Sequence, residues 1–359
     1  MGPLTDTQVA TGSYTGDGTS YHAITGIGFK PSLVLIWGDS EYAVWSANAL
    51  PSDKTLYFSN AAVGFSGGIT GFLPDGFIVG SHSTVNTNGK AYYYMVFRDN
   101  GAGNIDISSY TGNGTDNRSI TSIGFQPDFV HVKGDTAQAG SYRYSDGISD
   151  NSYLFTGTTA TDHIQELVST GFQIGTHARV NSNTVTYYYF AFKKQVNFFD
   201  IDTYTGNGVN NRHIGTIFQE ALVMVQKTSG TAQVPVYMPL DASSVGVTLN
   251  FTNSAALTTA ILQIESPGFK IGTDATVNTD TATYTYFIWK NPSQSNFTRK
   301  YYEYRVYDAN VYQKSWTNEV LTEPSFRNVI NGGPGEVIVR LDRNFDDFGE
   351  NVDVTLNYR

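Results

Sequence analysis

The sequence has no cysteine, few charged residues and no long apolar run. None of its 359 residues is cysteine and only 15% are charged. The absence of cysteine excludes disulfides, a thiolate nucleophile and a Cys-ligated zinc site. The charged fraction lies well below the roughly 25% of ordinary globular chains, which argues against a charged helical bundle. No stretch reaches the roughly 18 consecutive apolar residues of a membrane-spanning helix, so we expect no membrane insertion.

Positive charge is also scarce. Twenty-two Lys and Arg residues face 32 Asp and Glu residues, which gives a formal charge of −10 and a pI near 5.0. A broad nucleic-acid surface needs clustered Lys and Arg, so we expect no nucleic-acid partner. The N-terminal residues show neither the basic nor the apolar segment of a secretory signal. We therefore expect a soluble protein that leaves a cell, if it does, by another route such as lysis.

Glycine and aromatic residues are abundant instead, and they mark an internal repeat. Three markers recur in the same order: Tyr-Thr-Gly-x-Gly at 14–18, 110–114 and 204–208; Gly-Phe-x-x-Gly at 76–80, 171–175 and 268–272; and Val-Asn at 85–86, 180–181 and 277–278. A period of about 95 residues is the size of a whole domain and not of a solenoid unit. The sequence predicts module 1 (residues 1–100), module 2 (101–196), module 3 (197–293) and a C-terminal segment (294–359).

Each module has the pattern of a β domain. The segments 33–37, 129–133 and 222–226 keep β-branched residues at alternate positions, while the interleaved positions vary. Side chains alternate between the two faces of a strand, so the constant set should point into a core and the variable set towards a partner or water. The Tyr-rich strands at 92–98, 187–193 and 284–290 are apolar on both faces, which predicts central strands.

These patterns predict an all-β protein of three tandem antiparallel β-sandwich modules, jelly-roll-like, followed by a short β-rich C-terminal segment. Asn88-Gly89 predicts a two-residue hairpin before the Tyr-rich strand of module 1. Residues 162–169 are a short helix-like candidate that also suits a loop. In the C-terminal segment, 326–330 and 337–341 predict a hairpin with a Gly-rich loop. That segment is too small to be stable alone, so we expect it to pair with another chain or with a module.

The residues nominate no catalytic site. The Gly-x-Gly of the first marker is not followed by a helix, so it indicates a β-turn and not a phosphate-binding loop. The six histidines form no metal-type pair, no Gly-x-Ser-x-Gly elbow occurs, and no carboxylate that we can align recurs in all three modules. We expect no enzymatic activity, no cofactor and no metal.

Aromatic residues are the richest candidates for contact, because Tyr and Trp combine rigid apolar area with a hydrogen-bonding tip. On exposed or variable positions we single out Tyr21 and, as candidate ligand or partner contacts, five others: Trp37, Tyr42, Trp45, Tyr142 and Tyr144. Packing in a core or between modules is the competing interpretation for each of them.

The repeated markers, with Ile-x-x-Ile-Gly-Phe-x-Pro at 24–31 and 120–127, resemble a repeat common in structural and tail-associated proteins of tailed bacteriophages. The resemblance covers nearly all of residues 11–292, although module 3 lacks Gly-Phe-x-Pro. The C-terminal segment, with Glu323-Pro324-Ser325-Phe326 and the run 331–336, is similar to the opening of hub or baseplate-type proteins of long-tailed phages. The resemblance implies location in a virion, assembly with other virion proteins or with further copies of the chain, and host contact. It supplies no catalytic residues.

We therefore expect a non-enzymatic structural or adhesive component of a phage particle, associated with the tail. Several weak contacts joined in one chain gain effective concentration, which suits tandem modules. Two alternatives remain. A carbohydrate-binding array would bind a host-surface glycan through exposed Tyr or Trp, and a depolymerising enzyme would turn over a surface polysaccharide.

Overall fold

A computed structural model describes residues 8–145, 150–265 and 267–291 in full, and the backbone of five strands between residues 300 and 357. The fold is all-β, and its sheets are antiparallel. The chain divides into two compact units, residues 1–294 and residues 295–359. In the part described, no helix has the length and apolar character needed to span a membrane.

Module 1 is a sandwich of two sheets. The larger sheet has the order β1-β8-β3-β4-β5 and the smaller sheet the order β2-β7-β6. The elements are β1 (Val9–Thr15), β2 (His22–Thr25), β3 (Leu33–Gly38), β4 (Val44–Ala47), β5 (Leu56–Tyr57), β6 (Ile69–Leu73), β7 (Gly76–Val79), α1 (Ser83–Asn86) and β8 (Ala91–Phe97).

Module 2 repeats this arrangement with one additional edge strand. Its larger sheet has the order β14-β13-β12-β11-β17-β9 and its smaller sheet the order β10-β16-β15. The strands are β9 (Ile105–Thr111), β10 (Arg118–Ile120), β11 (Phe129–Gly134), β12 (Ser141–Tyr144), β13 (Ser152–Leu154), β14 (Thr159–Ala160), β15 (Ile164–Val168), β16 (Gly171–Ile174) and β17 (Thr186–Phe192).

Module 3 has the same strand order as module 1. The larger sheet runs β18-β25-β20-β21-β22 and the smaller sheet β19-β24-β23. The elements are β18 (Phe199–Thr205), β19 (Arg212–Ile214), β20 (Glu220–Lys227), β21 (Val236–Pro239), α2 (Leu240–Ser243), β22 (Leu249–Asn250), β23 (Ile261–Glu265), β24 (Gly268–Ile271) and β25 (Thr283–Lys290).

Each module has its own core between its two sheets. In module 2 the β-branched residues Val130 and Val132 of β11 meet Phe172 and Ile174 of β16, and the corresponding residues of modules 1 and 3 do the same. The alternation of the strands therefore predicted the inward face correctly. The Tyr-rich strands β8, β17 and β25 each lie between two neighbours, as their doubly apolar faces predicted.

The opposite face of each larger sheet packs into a further core that all three modules share. This central core contains Leu35 of module 1, Phe129 and Phe190 of module 2, and Met224 of module 3. The variable positions of β3, β11 and β20 were expected to face a partner or water. Instead they face the neighbouring modules of the same chain, and they vary because each one meets a different neighbour.

Equivalent residues of the three modules meet one another in this central core. The central phenylalanines, which follow β5, β13 and β22, have ring centroids 4.3–5.3 Å apart: Phe58, Phe155 and Phe251. A second set lies at the ends of the Tyr-rich strands, with centroids 4.8–6.4 Å apart: Phe97, Phe192 and Trp289. Three equivalent residues in mutual contact require an approximate threefold axis, so the modules are arranged as a pseudo-trimer within one chain.

The contacts between modules follow one direction around that axis. Module 2 binds module 1, because the carboxylate of Asp135 accepts a hydrogen bond from the backbone N–H of Gly64 (2.7 Å). Module 1 binds module 3 in the same manner, with Asp39 accepting from the N–H of Ala256 (2.8 Å). Module 3 binds module 2 through a buried hydrogen bond from the hydroxyl of Tyr142 to Gln226 (2.8 Å). The three interfaces form a closed ring.

Two sequence predictions about local structure are wrong. Asn88-Gly89 does not join two paired strands, because β7 and β8 lie in different sheets and α1 stands between them. The turn is tied instead to the first marker, since the N–H of Gly89 donates to the carbonyl of Gly16. Residues 162–169 contain β15 and no helix, because Ile164 pairs with Ile174 across the smaller sheet and faces the core.

The C-terminal unit contains two groups of paired strands. One is the hairpin of β26 (Lys300–Asp308) and β27 (Val311–Val320), and the other is the sheet of β28 (Ser325–Asn331), β29 (Glu336–Asp342) and β30 (Val352–Asn357). β28 and β29 pair antiparallel, which confirms the predicted hairpin. Its Gly-rich loop, residues 332–335, lies outside the described residues.

Candidate functional site

The Val-Asn marker is used to hold the first marker in place. In module 2 the side chain of Asn181 accepts from the N–H of Asn113 (2.9 Å) and donates to the carbonyls of Thr115 and Gly175 (both 2.8 Å). Its counterparts Asn86 and Asn278 accept from the matching backbone N–H groups at 2.8 and 2.9 Å. These three asparagines are almost completely buried.

The repeated tyrosines of the first marker have the same task. Their hydroxyls donate to the carbonyl of the Val in the Val-Asn marker at 2.6, 2.7 and 2.7 Å, and their rings stack on the first buried Tyr of the closing strand: Tyr14, Tyr110 and Tyr204. Burial raises the pKa of all three hydroxyls well above the ordinary value. The second glycine of each marker, such as Gly114 (φ +70°), adopts the left-handed conformation. The marker is therefore a structural turn, as the missing helix indicated.

Two of the aromatic candidates pack across the interfaces of module 1. The ring of Trp37 lies 5.1 Å from that of Tyr237 in module 3, and Trp45 lies 5.3 Å from Phe190 in module 2. Both tryptophans are buried. They do not stand on the surface of the chain, where a ligand would reach them.

Two more candidates pack between modules 2 and 3. The hydroxyl of Tyr142 donates to Gln226, and the hydroxyl of Tyr144 donates to Thr285 (3.3 Å) while its ring meets Phe287 at 4.8 Å. Both tyrosines are buried. The expectation of exposed positions is therefore wrong for four of the five candidates, because the faces of β3, β4 and β12 that carry them are covered by the adjoining module.

Tyr42 and Tyr21 differ from these four. Tyr42 is partly exposed and meets Tyr57 edge to face at 5.8 Å. Tyr21 is 64% exposed in the loop before β2. The two residues come from different parts of module 1.

The sequence analysis did not identify the buried lysine and histidine side chains of module 2 as candidate site residues. The ammonium group of Lys133 donates to three carbonyls, those of Ala62 (3.1 Å), Thr136 (2.9 Å) and Gln138. Burial lowers its pKa to about 8. Because Ala62 belongs to module 1, Lys133 links two modules. In the sequence, the only indication of this role is that Lys133 occupies the position that is equivalent to Trp37 in module 1.

A histidine pair lies at the edge of the module 2 core. The rings of His163 and His177 are 4.0 Å apart, and Nδ1 of His163 lies 2.9 Å from the hydroxyl of Ser141. Burial, and then the nearby His177, lower the pKa of His163 to about 3. His177 caps the next turn by accepting from the N–H of Arg179. Within the described ranges, no group of three or more His, Cys, Asp or Glu residues is placed to hold a metal ion.

A polar concavity lies on module 2, beside β15 and β16. Its volume is about 650 Å³, and its lining includes three glutamines: Gln126, Gln165 and Gln173. We call it the glutamine groove. Tyr144, one of the predicted aromatic candidates, borders it. The sequence gives no signal for the groove, because the three glutamines come from three separate segments.

Residues 104–197 match the model of a protein family described as a domain of unknown function, DUF7483. The matched range corresponds to module 2, from just before β9 to just after β17. No curated protein matches the chain.

Proposed function

We propose that the protein is a non-enzymatic structural or adhesive component of a tailed-bacteriophage particle, associated with the tail. The phage origin rests on the resemblance of the repeated markers. The structural role is supported by the contacts of those markers: the asparagines of the Val-Asn marker and the repeated tyrosines form hydrogen bonds within their own module. The repeated markers therefore support the framework of each module.

The closed ring of modules is the observation that most strongly supports the proposal. A shared aromatic core joins the three modules, so the described residues between 8 and 291 belong to one compact unit. The C-terminal unit has its own paired strands. In the proposed arrangement it docks the chain on a neighbouring virion protein by strand pairing, and the ring is presented for contact.

The proposal is tested by locating the chain and then truncating it. Antibody labelling of assembled particles in the electron microscope should place the full-length chain on the tail. A chain that ends at residue 294 should be absent from particles but should keep the circular dichroism and thermal unfolding of a β protein, because the four described cores are built from residues 9–289.

The two parts of the proposal fail separately. Absence of the full-length chain from particles would reject the virion role. Incorporation of the truncated chain at the wild-type level would reject docking through the C-terminal unit and leave the virion role intact.

A further inference from the structure

An aspartate closes two of the three interfaces between modules. Asp39, directly after β3, accepts from the backbone N–H of Ala256 at 2.8 Å. Asp135, directly after β11, accepts from the backbone N–H of Gly64 at 2.7 Å. At equivalent places, one module therefore supplies a carboxylate to a backbone N–H of its neighbour. The third interface, between modules 3 and 2, has a different residue at this place.

Thr228 occupies the aspartate position in module 3. The last residue of β3 and the last residue of β11 each pair with the first buried Tyr of the closing strand, and Lys227 at the end of β20 has the same pairing. The next residue is therefore equivalent to the two aspartates, and it is Thr228. Its hydroxyl donates to the carbonyl of Thr283 in its own module (3.1 Å). Module 3 thus supplies a hydroxyl residue here and not a carboxylate.

Thr159 of β14 is the module 2 counterpart of Gly64 and Ala256. Each of the three directly precedes a residue that pairs with a buried Thr or Ser: Phe65 with Thr55, Leu257 with Thr248 and Ala160 with Ser152. In every module the hydroxyl of that Thr or Ser accepts from the N–H of an isoleucine in the smaller sheet. The N–H of Thr159 is therefore the one that lacks an aspartate.

The N–H of Thr159 points away from its own sheet. Leu154 donates to the carbonyl of Thr158, so residues 154 and 158 form a hydrogen-bonded pair of the β13–β14 ladder. Such pairs alternate along an antiparallel ladder, so Thr159 is at a non-hydrogen-bonded position, and β14 is the edge strand. In the described part of the chain this N–H has no acceptor, and Thr159 is exposed. The donor is therefore available to a molecule from solution.

A cavity of about 280 Å³ lies at this place, and we call it the interface cavity. Its lining includes Thr159 and Tyr153 of module 2 and the residues 226–230 of module 3, among them Thr228. The unpaired N–H and the residue that replaces the aspartate therefore border the same space.

The side chain of Gln226 also differs from its counterparts in the other interfaces. The equivalent residues extend across those interfaces, since the indole of Trp37 packs on Tyr237 and the ammonium group of Lys133 donates to module 1. Nε2 of Gln226 instead donates to the carbonyl of Lys227 at 2.7 Å, within its own module. Replacements at two positions thus distinguish the interface that contains the cavity.

The lining of the interface cavity suits an anion. Its described residues include the cation Lys227 and no Asp or Glu. Modules 1 and 2 have glycine at the position of Lys227, namely Gly38 and Gly134, so this positive charge belongs to module 3. The volume lies at the lower end of the range of small-molecule sites, which indicates a ligand no larger than a single sugar.

We propose that the interface cavity binds the carboxylate group of a small organic acid, which accepts a hydrogen bond from the N–H of Thr159. The ligand replaces the aspartate that the other two interfaces supply from within the chain. The site is a property of the contact between modules 2 and 3, so it does not depend on the virion role.

Titration of the full-length protein at constant ionic strength, followed by saturation-transfer NMR of the added molecule, tests the inference. Sodium acetate and sodium glucuronate are the probes, and glucose is the neutral control. We expect saturable binding of a carboxylate and no binding of glucose. Acetate bound as tightly as glucuronate identifies the carboxylate alone as the ligand, whereas tighter binding of glucuronate identifies a sugar acid; both results support the proposal.

Two variants test the geometry. Thr228→Asp rebuilds the aspartate of modules 1 and 2, so it should unfold at or above the wild-type temperature and raise the Kd of the carboxylate at least about tenfold. Thr159→Pro removes the N–H at an edge position, where a strand tolerates proline, and should raise the Kd by a similar factor. A tenfold change corresponds to the loss of one charge-assisted hydrogen bond.

Asn210→Asp is the matched control, because it adds the same charge as Thr228→Asp at an exposed loop position of module 3. It should leave the Kd and the unfolding temperature unchanged. The inference is overturned if neither carboxylate binds, if glucose binds as tightly as glucuronate, or if inorganic phosphate binds and the carboxylates do not. It is also overturned if Thr228→Asp, folded as the wild type, leaves the Kd unchanged.

Discussion

His131 is surrounded by aromatic rings at the boundary between modules 1 and 2. Its ring lies 5.5 Å from Trp45, 5.1 Å from Phe58 and 4.9 Å from Phe190, and neither ring nitrogen has a hydrogen-bond partner among the described residues. Burial lowers the pKa of His131 to about 3. The equivalent residues of modules 1 and 3 are Leu35 and Met224, so the position tolerates an apolar side chain.

We expect His131→Met to stabilise the protein by about 1 kcal/mol at neutral pH, because it removes unpaired polar atoms from a packed core. The folded pKa lies below the unfolded value of about 6.5, so the contribution of a neutral His131 is complete above that pH and is lost as pH falls towards 3. At pH 5 the wild type should have lost about 2 kcal/mol through this group alone.

Urea unfolding of both proteins at pH 7.5 and pH 5 measures this effect. The difference in unfolding free energy between variant and wild type isolates His131 from the other histidines. It should grow as the pH is lowered. A difference that is the same at both pH values would show that His131 does not titrate in this way.

At the scale of elements, hydrogen bonds in each module connect the turn before the closing strand to the loop after the first strand. In module 2 this connection is the side chain of Asn181 together with the hydroxyls of Tyr110 and Tyr187. Two of these residues lie in markers quoted from the sequence alone. The repeated markers therefore contain residues whose replacement would leave backbone groups without a hydrogen-bond partner.

Asn181→Ala should lower the free energy of unfolding by about 2–4 kcal/mol, because it leaves the N–H of Asn113 and the carbonyls of Thr115 and Gly175 without their partner. Chemical denaturation measures the change. Asn183→Ala is the control, since Asn183 is exposed two residues along the same turn and should change stability by less than about 0.5 kcal/mol. Equal effects of the two substitutions would contradict a structural role for the marker.

At the scale of the molecule, the central core joins three modules that each have a core of their own. Two of the three interfaces share an aspartate that accepts from a backbone N–H, but each interface also has a contact of its own. These contacts are the tilted rings of Trp37 and Tyr237, the ion pair of Lys54 with Asp135 at 2.9 Å, and the hydrogen bond from Tyr142 to Gln226. Different partners at equivalent places favour one order of modules over the others. Tandem duplication within one chain permits this, whereas three identical subunits would have identical interfaces.

The shared core predicts the behaviour of a single module. Residues 104–197, produced alone, expose the aromatic face that includes Phe129, Phe190 and Phe192. An apolar patch of this kind promotes association. Sedimentation should therefore show the fragment as an oligomer whose size depends on concentration. The same fragment with Phe192→Arg should remain monomeric, and a folded monomer of the unaltered fragment at high concentration would contradict the prediction.

Much of the fold could be predicted from local patterns. The alternation of Val130 and Val132 identified the inward face of β11, because side-chain direction along a strand is fixed by the backbone. The doubly apolar β17 was correctly predicted as a central strand for the same reason. The expectation of a helix or loop at 162–169 is wrong, because strand pairing with β16, and not local preference, determines the secondary structure of that segment.

The sequence by itself determined the threefold repeat, the all-β class and the inner face of each strand, because each of these follows from periodicity along the chain. Only the tertiary structure decided what covers the outer faces. Trp37 and Tyr142 lie at positions that we expected to be exposed or variable. In the structure, modules distant in sequence cover both residues. The glutamine groove was decided in the same way, since Gln126, Gln165 and Gln173 converge only when separate strands fold against each other. The local sequence around a side chain does not indicate which surface that side chain will pack against in the folded protein.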